Sequence, residues 1–211
     1  MKDNSGTSNT LNGIYLSGTL SQDWELFKNQ NFPYFLSLLT VSGNAILEID
    51  PGVEIKFIST NTWRGKLIIN GRLVAMGQEN DKIIFTASND QYYWNRIEFN
   101  SQEATSTLKY VLISKGGVTY EEDSRGIIYV NGKVEFQNLS LEGACICGVY
   151  FDNSPQSKIS DSQFEFANCG IGIKIIGQCP QISNLTFINT FYPFCKDDTC
   201  STSTNSTSTC Q

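Results

Sequence analysis

A short segment that returns at a fixed interval restricts the fold of this chain more than any other feature. Gly126-Ile127-Ile128-Tyr129-Val130-Asn131 recurs as Gly148-Val149-Tyr150-Phe151-Asp152-Asn153 and again as Gly170-Ile171-Gly172-Ile173-Lys174-Ile175, so the leading glycines are 22 residues apart twice. A second motif follows each copy: Phe136, Ile159 and Ile182 align at a spacing of 23, and so do Asn138, Asp161 and Asn184. Alternation at period two gives each segment one apolar and one wet face, as in a half-buried strand. In the glycine register the apolar columns are Ile127, Val149, Ile171 and Tyr129, Phe151, Ile173. The outward columns are Ile128, Tyr150, Gly172 and Val130, Asp152, Lys174. Two strand phases in each interval, with the chain coming back to the same place, describe a coil whose turns stack on one another. A sandwich has no reason to keep such a period.

Further upstream the chain is a succession of short β-branched and aromatic runs stopped by Gly, Asn, Asp or Ser, and no segment keeps a helical period. Leu39-Thr40-Val41 leads to Leu47-Glu48-Ile49-Asp50-Pro51-Gly52-Val53-Glu54-Ile55-Lys56-Phe57, then Gly71-Arg72-Leu73-Val74-Ala75-Met76-Gly77, then Ile83-Ile84-Phe85-Thr86. On these residues the chain resembles the right-handed parallel β-helix proteins of the pectate-lyase-like superfamily, from about Leu36 to Asn189. The resemblance implies an all-β fold, a single-stranded right-handed parallel β-helix (β-solenoid) with a capped N-terminus. At 22 residues per coil this makes roughly seven coils, a rod of about 34 Å at about 4.8 Å per coil. The expected division is an N-terminal tail and cap over 1–35, with Asp23 to Tyr34 covering the first coil, a β-helix over 36–195, and a flexible Ser/Thr/Cys-rich tail over 196–211.

Composition narrows the chemistry. The 211 residues contain no histidine, which removes Ser-His-Asp triads, imidazole bases and His-containing metal sites. A net charge of −6 without a basic stripe argues against nucleic acid, and no apolar run is long enough for a membrane span. All seven cysteines, Cys145, Cys147, Cys169, Cys179, Cys195, Cys200 and Cys210, lie in the last third. Together with few lysines and the Ser/Thr tail they point to an extracellular or cell-surface location, with disulfides preferred to a thiolate metal site. In the glycine register Cys147 and Cys169 occupy equivalent positions in adjacent coils, where they either pair or stack as thiols. Cys179, Cys195, Cys200 and Cys210 are placed to staple the C-terminal end. Sequons at Asn138, Asn184 and Asn205 are compatible with export. No metal or cofactor is expected, and Glu121-Glu122-Asp123 lacks the alternating spacing of a calcium loop.

Enzymes of the resembling superfamily place Asp, Lys or Arg on the outer face of one sheet. Asp152 and Lys174 are outward neighbours in the glycine register, with Arg125 and Asp161 near them, so a polysaccharide lyase or glycoside hydrolase would use Asp152, Lys174 and Asp161. That set is sparse, and a cross-strand charge pair accounts for it as well. Trp63, Tyr92, Tyr93, Trp94, Tyr120 and Tyr150 fall outside the strict core pattern, and exposed rings stack well on pyranose faces. The expected function is a non-catalytic adhesion or carbohydrate-binding module. Its partners would be a polysaccharide or cell-surface glycan and other surface proteins. The alternatives are the sugar enzyme and a structural rod or spacer of a larger cell-surface protein.

Overall fold

The computed structural model describes residues 12–29, 32–117, 125–143, 147–166 and 170–202. The strands in chain order are β1 (Ile14–Leu20), β2 (Trp24–Leu26), β3 (Tyr34–Val41), β4 (Ile46–Ile49), β5 (Glu54–Phe57), β6 (Lys66–Ile69), β7 (Arg72–Met76), β8 (Ile83–Ala87), β9 (Ile97–Phe99), β10 (Thr105–Ser114), β11 (Ile128–Val130), β12 (Lys133–Glu142), β13 (Cys147–Asp152), β14 (Lys158–Glu165), β15 (Ile171–Ile176), β16 (Gln181–Ile188), β17 (Tyr192–Lys196) and β18 (Thr199–Ser201). They wind into a β-solenoid of about seven turns, the parallel β-helix expected from the repeat.

Each turn has three faces. The first face stacks the second halves of β1 and β3 and then β6, β9, β11, β13, β15 and β17 in parallel. The second face stacks β2, β4, β7 and the first halves of β10, β12, β14 and β16. The third face takes the first halves of β1 and β3, then β5, β8 and the second halves of β10, β12, β14 and β16. β10, β12, β14 and β16 therefore each serve the second and third faces, and the bend between these two faces sits at one residue in each strand. Tyr110, Asn138, Asp161 and Asn184 occupy that bend with φ of 50°, 52°, 51° and 50°. Asn and Asp tolerate this left-handed conformation because a short polar side chain bonds locally, so the spacing of 23 marks a corner.

The interior is a set of in-register columns. Leu39, Leu67, Ile97, Ile128, Val149, Ile173 and Phe194 form one on the first face, all buried. Each such side chain contributes roughly 1.5–3 kcal/mol by leaving water.

This register corrects the glycine alignment. Ile128 pairs with Val149 and Val149 with Ile173, so the steps are 21 and 24 residues instead of 22 and 22. An odd shift flips a strand, so Ile128 and Val130 point inward and Tyr129 outward in β11. Gly126 adopts φ 75° at a turn, whereas Gly148 lies inside β13, where an added Cβ would meet the Gly172 carbonyl oxygen at 2.6 Å. The two glycines look equivalent in sequence and do different work.

The ends also differ from expectation. β1 and β2 pair in parallel with β3 and β4, so among the described residues the stack already includes Ile14, and the segment expected as a cap contains a rung. At the other end β18 folds back antiparallel on β17 through Asp197 and Asp198, and Cys195 and Cys200 form a disulfide across the hairpin with Cα atoms 4.0 Å apart. The first residues of the expected tail thus cap the first face.

Candidate functional site

Two surfaces carry the residues singled out in the sequence. One is the corner between the third and first faces, where consecutive coils extend loops between β5 and β6 and between β8 and β9. The first loop is closed by an antiparallel bridge between Ser59 and Arg64, with the Thr60 amide donating to the Trp63 carbonyl at 2.8 Å. The second is turned by Asn89, whose Oδ1 accepts from the amides of Gln91 at 3.0 Å and Tyr92 at 3.1 Å. The loops are tied together. The Ser59 amide donates to Ser88 Oγ at 3.2 Å, Asn89 Nδ2 donates to the Ser59 carbonyl, and the Arg64 guanidinium lies 5.1 Å from the Tyr92 ring centroid. Lys115 pairs with Asp90 beside them.

This geometry divides the aromatic candidates. Trp63 is 45% exposed, Tyr93 is 39% exposed and Tyr92 is half-buried. Trp94 is fully buried, stacked on Phe57 with centroids 4.0 Å apart and planes 7° from parallel. Its Nε1 donates to the Ser114 carbonyl at 2.8 Å, so its polar edge is satisfied as well. The expected ligand contact at Trp94 is therefore corrected: the ring fills the corner beneath the loops. Gly116 is required beside it, because a Cβ there would lie 2.7 Å from Ile127 and 2.8 Å from the indole. Tyr150 belongs to the second surface, and Tyr120 lies outside the described residues.

That second surface is the outer side of the first face, where Glu98, Tyr129, Tyr150 and Lys174 succeed one another in register. Glu98 Oε1 lies 2.7 Å from Lys66 Nζ and 3.1 Å from Arg96 Nε. Arg96 is 2% exposed, and burial lowers its pKa from the ordinary guanidinium value. The Tyr129 and Tyr150 rings are 5.7 Å apart, with the Arg125 guanidinium 4.9 Å from the first and Lys174 Nζ 5.5 Å from the second. Tyr129 Oη donates to Asp152 Oδ2 at 2.7 Å. Burial, and then this bond to a carboxylate, push the Tyr129 pKa up to about 12. Lys174 Nζ donates to Asp198 Oδ1 at 2.9 Å, which with the carboxylate's charge outweighs desolvation and raises the lysine pKa.

Asp152 and Lys174 do share this surface, but not as a facing pair. Asp152 is opposite Ile176 and Lys174 is opposite Tyr150, and each engages a different partner. Asp161 is on another corner, where it accepts from Asn184 Nδ2 at 2.7 Å and Gln137 Nε2 at 3.3 Å. Those bonds, with one from Ser160, lower its pKa. The third member of the catalytic expectation is thus not on the face of the other two. The Lys66, Arg96 and Glu98 cluster was missed, although Arg96-Ile97-Glu98 places opposite charges two apart on a strand, hence on one side of it.

Cys147 carries a free, buried thiol, so of the two alternatives expected for it, a disulfide or an unpaired thiol, it takes the second. Cys179 is disulfide-bonded, as are Cys195 and Cys200. Cys145, Cys169, Cys210, Asn205 and the acidic run Glu121-Glu122-Asp123 lie outside the described residues. Among the described residues no group of three or more Cys, Asp or Glu is gathered to hold a metal ion, and no helix is long and apolar enough to cross a membrane. Comparison with protein-family models, with curated proteins and with solved structures finds no match for this chain.

Proposed function

We propose that this β-solenoid is a non-catalytic extracellular adhesion or carbohydrate-binding module, of the kind represented in the pectate-lyase-like superfamily, with the corner loops as its sugar platform. The observation that carries the reading is that Trp63 and Tyr93 are both exposed on loops of consecutive coils that are hydrogen-bonded to each other. Rings set on tethered loops bind with little loss of side-chain freedom, and their apolar faces suit the C–H surfaces of a pyranose. On the outer first face Glu98, Asp152 and Asp198 are each engaged by a neighbour, and Tyr129 holds its proton at neutral pH. These engagements favour binding over acid–base turnover.

The test is pull-down on insoluble polysaccharides and a glycan array, with release of reducing or unsaturated ends measured in parallel. Binding without release, lost in Trp63→Ala and Tyr93→Ala, is the expected result. Sugar release that disappears in Asp152→Asn would overturn the reading in favour of a lyase or hydrolase. A folded chain that retains no polymer would leave the spacer role.

A further inference from the structure

Among the described residues, the last rung of the second and third faces brings together an edge strand that no other strand covers and an exposed N-x-T acceptor. β16 is hydrogen-bonded in parallel register to β14, and among the described residues no strand adds to its other side. Its inward side chains Ile182, Leu185 and Phe187 are half-buried, whereas Ile159, Ser162 and Phe164 one coil earlier are buried. Phe191, just beyond it, is 60% exposed. An edge with free backbone donors and acceptors beside apolar surface invites pairing with another chain, and stable proteins cover or blunt such edges. The disulfide-linked hairpin of β17 and β18 does so for the first face only.

Asn184-Leu185-Thr186 lies on this strand as an N-x-T acceptor with a residue other than proline in the middle. Asn184 and Thr186 are both exposed. Asn184 stands at the left-handed corner, and its Nδ2 gives one hydrogen to Asp161 Oδ1 at 2.7 Å. A carboxamide nitrogen has two hydrogens, so substituting the other leaves that bond intact. Asn138 occupies the same corner two rungs inside the stack, half-buried, with a coil on either side. It offers no comparable exit for a bulky group.

We infer that Asn184 is an N-glycosylation site whose oligosaccharide shields the open edge of β16. The donor is an oligosaccharide linked through pyrophosphate to a polyprenol. Asn184 Nδ2 forms a bond to the anomeric carbon, the C–O bond to the pyrophosphate breaks and leaves its electron pair there, and one Nδ2 proton passes to a base of the transferring enzyme. No oxidation state changes. The linked sugar is bulky and polar, sits on the terminal rung and blocks approach of a second strand. The inference shares with the proposed function only the exported location and is independent of ligand binding.

The full chain, expressed behind a cleavable export leader in a eukaryotic host, is mapped by peptide mass spectrometry before and after amidase deglycosylation. The expected result is a glycan on Asn184, with Asn138 unmodified. Thr186→Ala removes the acceptor but keeps the Asn184 to Asp161 bond, and this variant is expected to self-associate in sedimentation at concentrations where the glycosylated chain is monomeric. An exported chain with unmodified Asn184 overturns the site. A Thr186→Ala chain that stays monomeric overturns the shielding role. Loss of polysaccharide binding with Asn184 still occupied would count only against the proposed function.

Discussion

Tyr129 and Asp152 are joined by a 2.7 Å hydrogen bond that runs from one coil to the next on the outer first face. The tyrosine is nearly buried, and its pKa is raised to about 12. An unfolded tyrosine ionises near pH ~10. The folded value lies above the unfolded one, so the contribution is fully present below about pH 10 and is lost as pH rises through about 12. In Tyr129→Phe that alkaline loss shrinks, and at neutral pH the variant loses about 0.5–1.5 kcal/mol for the missing bond. Spectrophotometric tyrosinate titration and urea melts at neutral and alkaline pH check both. Burial also raises the Tyr34 and Tyr150 pKa values, so a Tyr129→Phe chain whose late-titrating tyrosines are no fewer than in wild type would refute the assignment.

Trp63 and Trp94 separate binding from folding. Trp94 fills the corner against Phe57, so Trp94→Ala leaves a large cavity and costs about 3–5 kcal/mol. Trp63 is exposed on its loop, and Trp63→Ala shifts stability by no more than about 0.5 kcal/mol. If the corner is the sugar platform, Trp63→Ala abolishes polymer retention without moving the urea midpoint. A Trp63→Ala variant that unfolds early, or binds normally, contradicts this division of labour.

The left-handed corner residues make a second ladder with its own acid dependence. Hydrogen bonds from Asn184, Gln137 and Ser160 hold the Asp161 carboxyl below its usual pKa. A depressed folded pKa contributes stability above the unfolded value near ~3.9 and loses it as pH falls through the folded one. Asp161→Asn keeps a residue suited to this backbone but removes the charged acceptor, so its urea midpoint falls at pH 7 and converges on wild type in acid. Asn138→Val tests the backbone itself: a β-branched residue at φ 52° costs on the order of 1–3 kcal/mol. Circular dichroism melts of the two variants read these effects directly. An Asn138→Val chain as stable as wild type would contradict the corner role.

The physical reason that some columns were legible and others were not is visible at these same residues. Phe136, Ile159 and Ile182 stack as the spacing of 23 requires, because each lies two residues before the left-handed corner of its strand, at Asn138, Asp161 and Asn184. On the first face the glycines misled, since Gly126 serves a left-handed turn and Gly148 a close approach between rungs. Connections of unequal length absorb the difference, and a one-residue slip was enough to move Tyr129 from the expected core to the outer surface. Trp94 was ambiguous for a related reason. A ring in a polar loop sequence reads as exposed, and only the stacking of two coils shows that the loop closes over it.

Burial makes the one free thiol of the described residues inert. Cys147 is fully buried, and its pKa is pushed up to about 12, chiefly by loss of water around the sulfur. Alkylation requires the thiolate, so native chain incubated with iodoacetamide near neutral pH leaves Cys147 unmodified, and denaturant exposes it. Tandem mass spectrometry of the peptide distinguishes Cys147 from its neighbours. Rapid labelling of Cys147 in the native state would show that β13 opens far more readily than its packing implies.

Stacked charges give the last prediction, because register places like and unlike pairs on the same rungs. Glu135 and Lys158 are in-register partners on the second face with Oε1 and Nζ 3.1 Å apart, whereas Glu142 and Glu165 are in-register partners on the third. All four are exposed, so each interaction is modest and screened by salt. Glu165→Lys replaces a like pair by an opposite one and stabilises the chain by about 0.2–1 kcal/mol, while Lys158→Glu does the reverse by a similar amount. Both effects shrink as salt is raised, since the Debye length falls from about 10 Å at 0.1 M to about 3 Å at 1 M. Urea midpoints of the two variants in low and high salt decide the matter. Equal shifts at both ionic strengths would mean that packing, not charge, governs these rungs, and the inferred register of β12 on β14 would lose its electrostatic support.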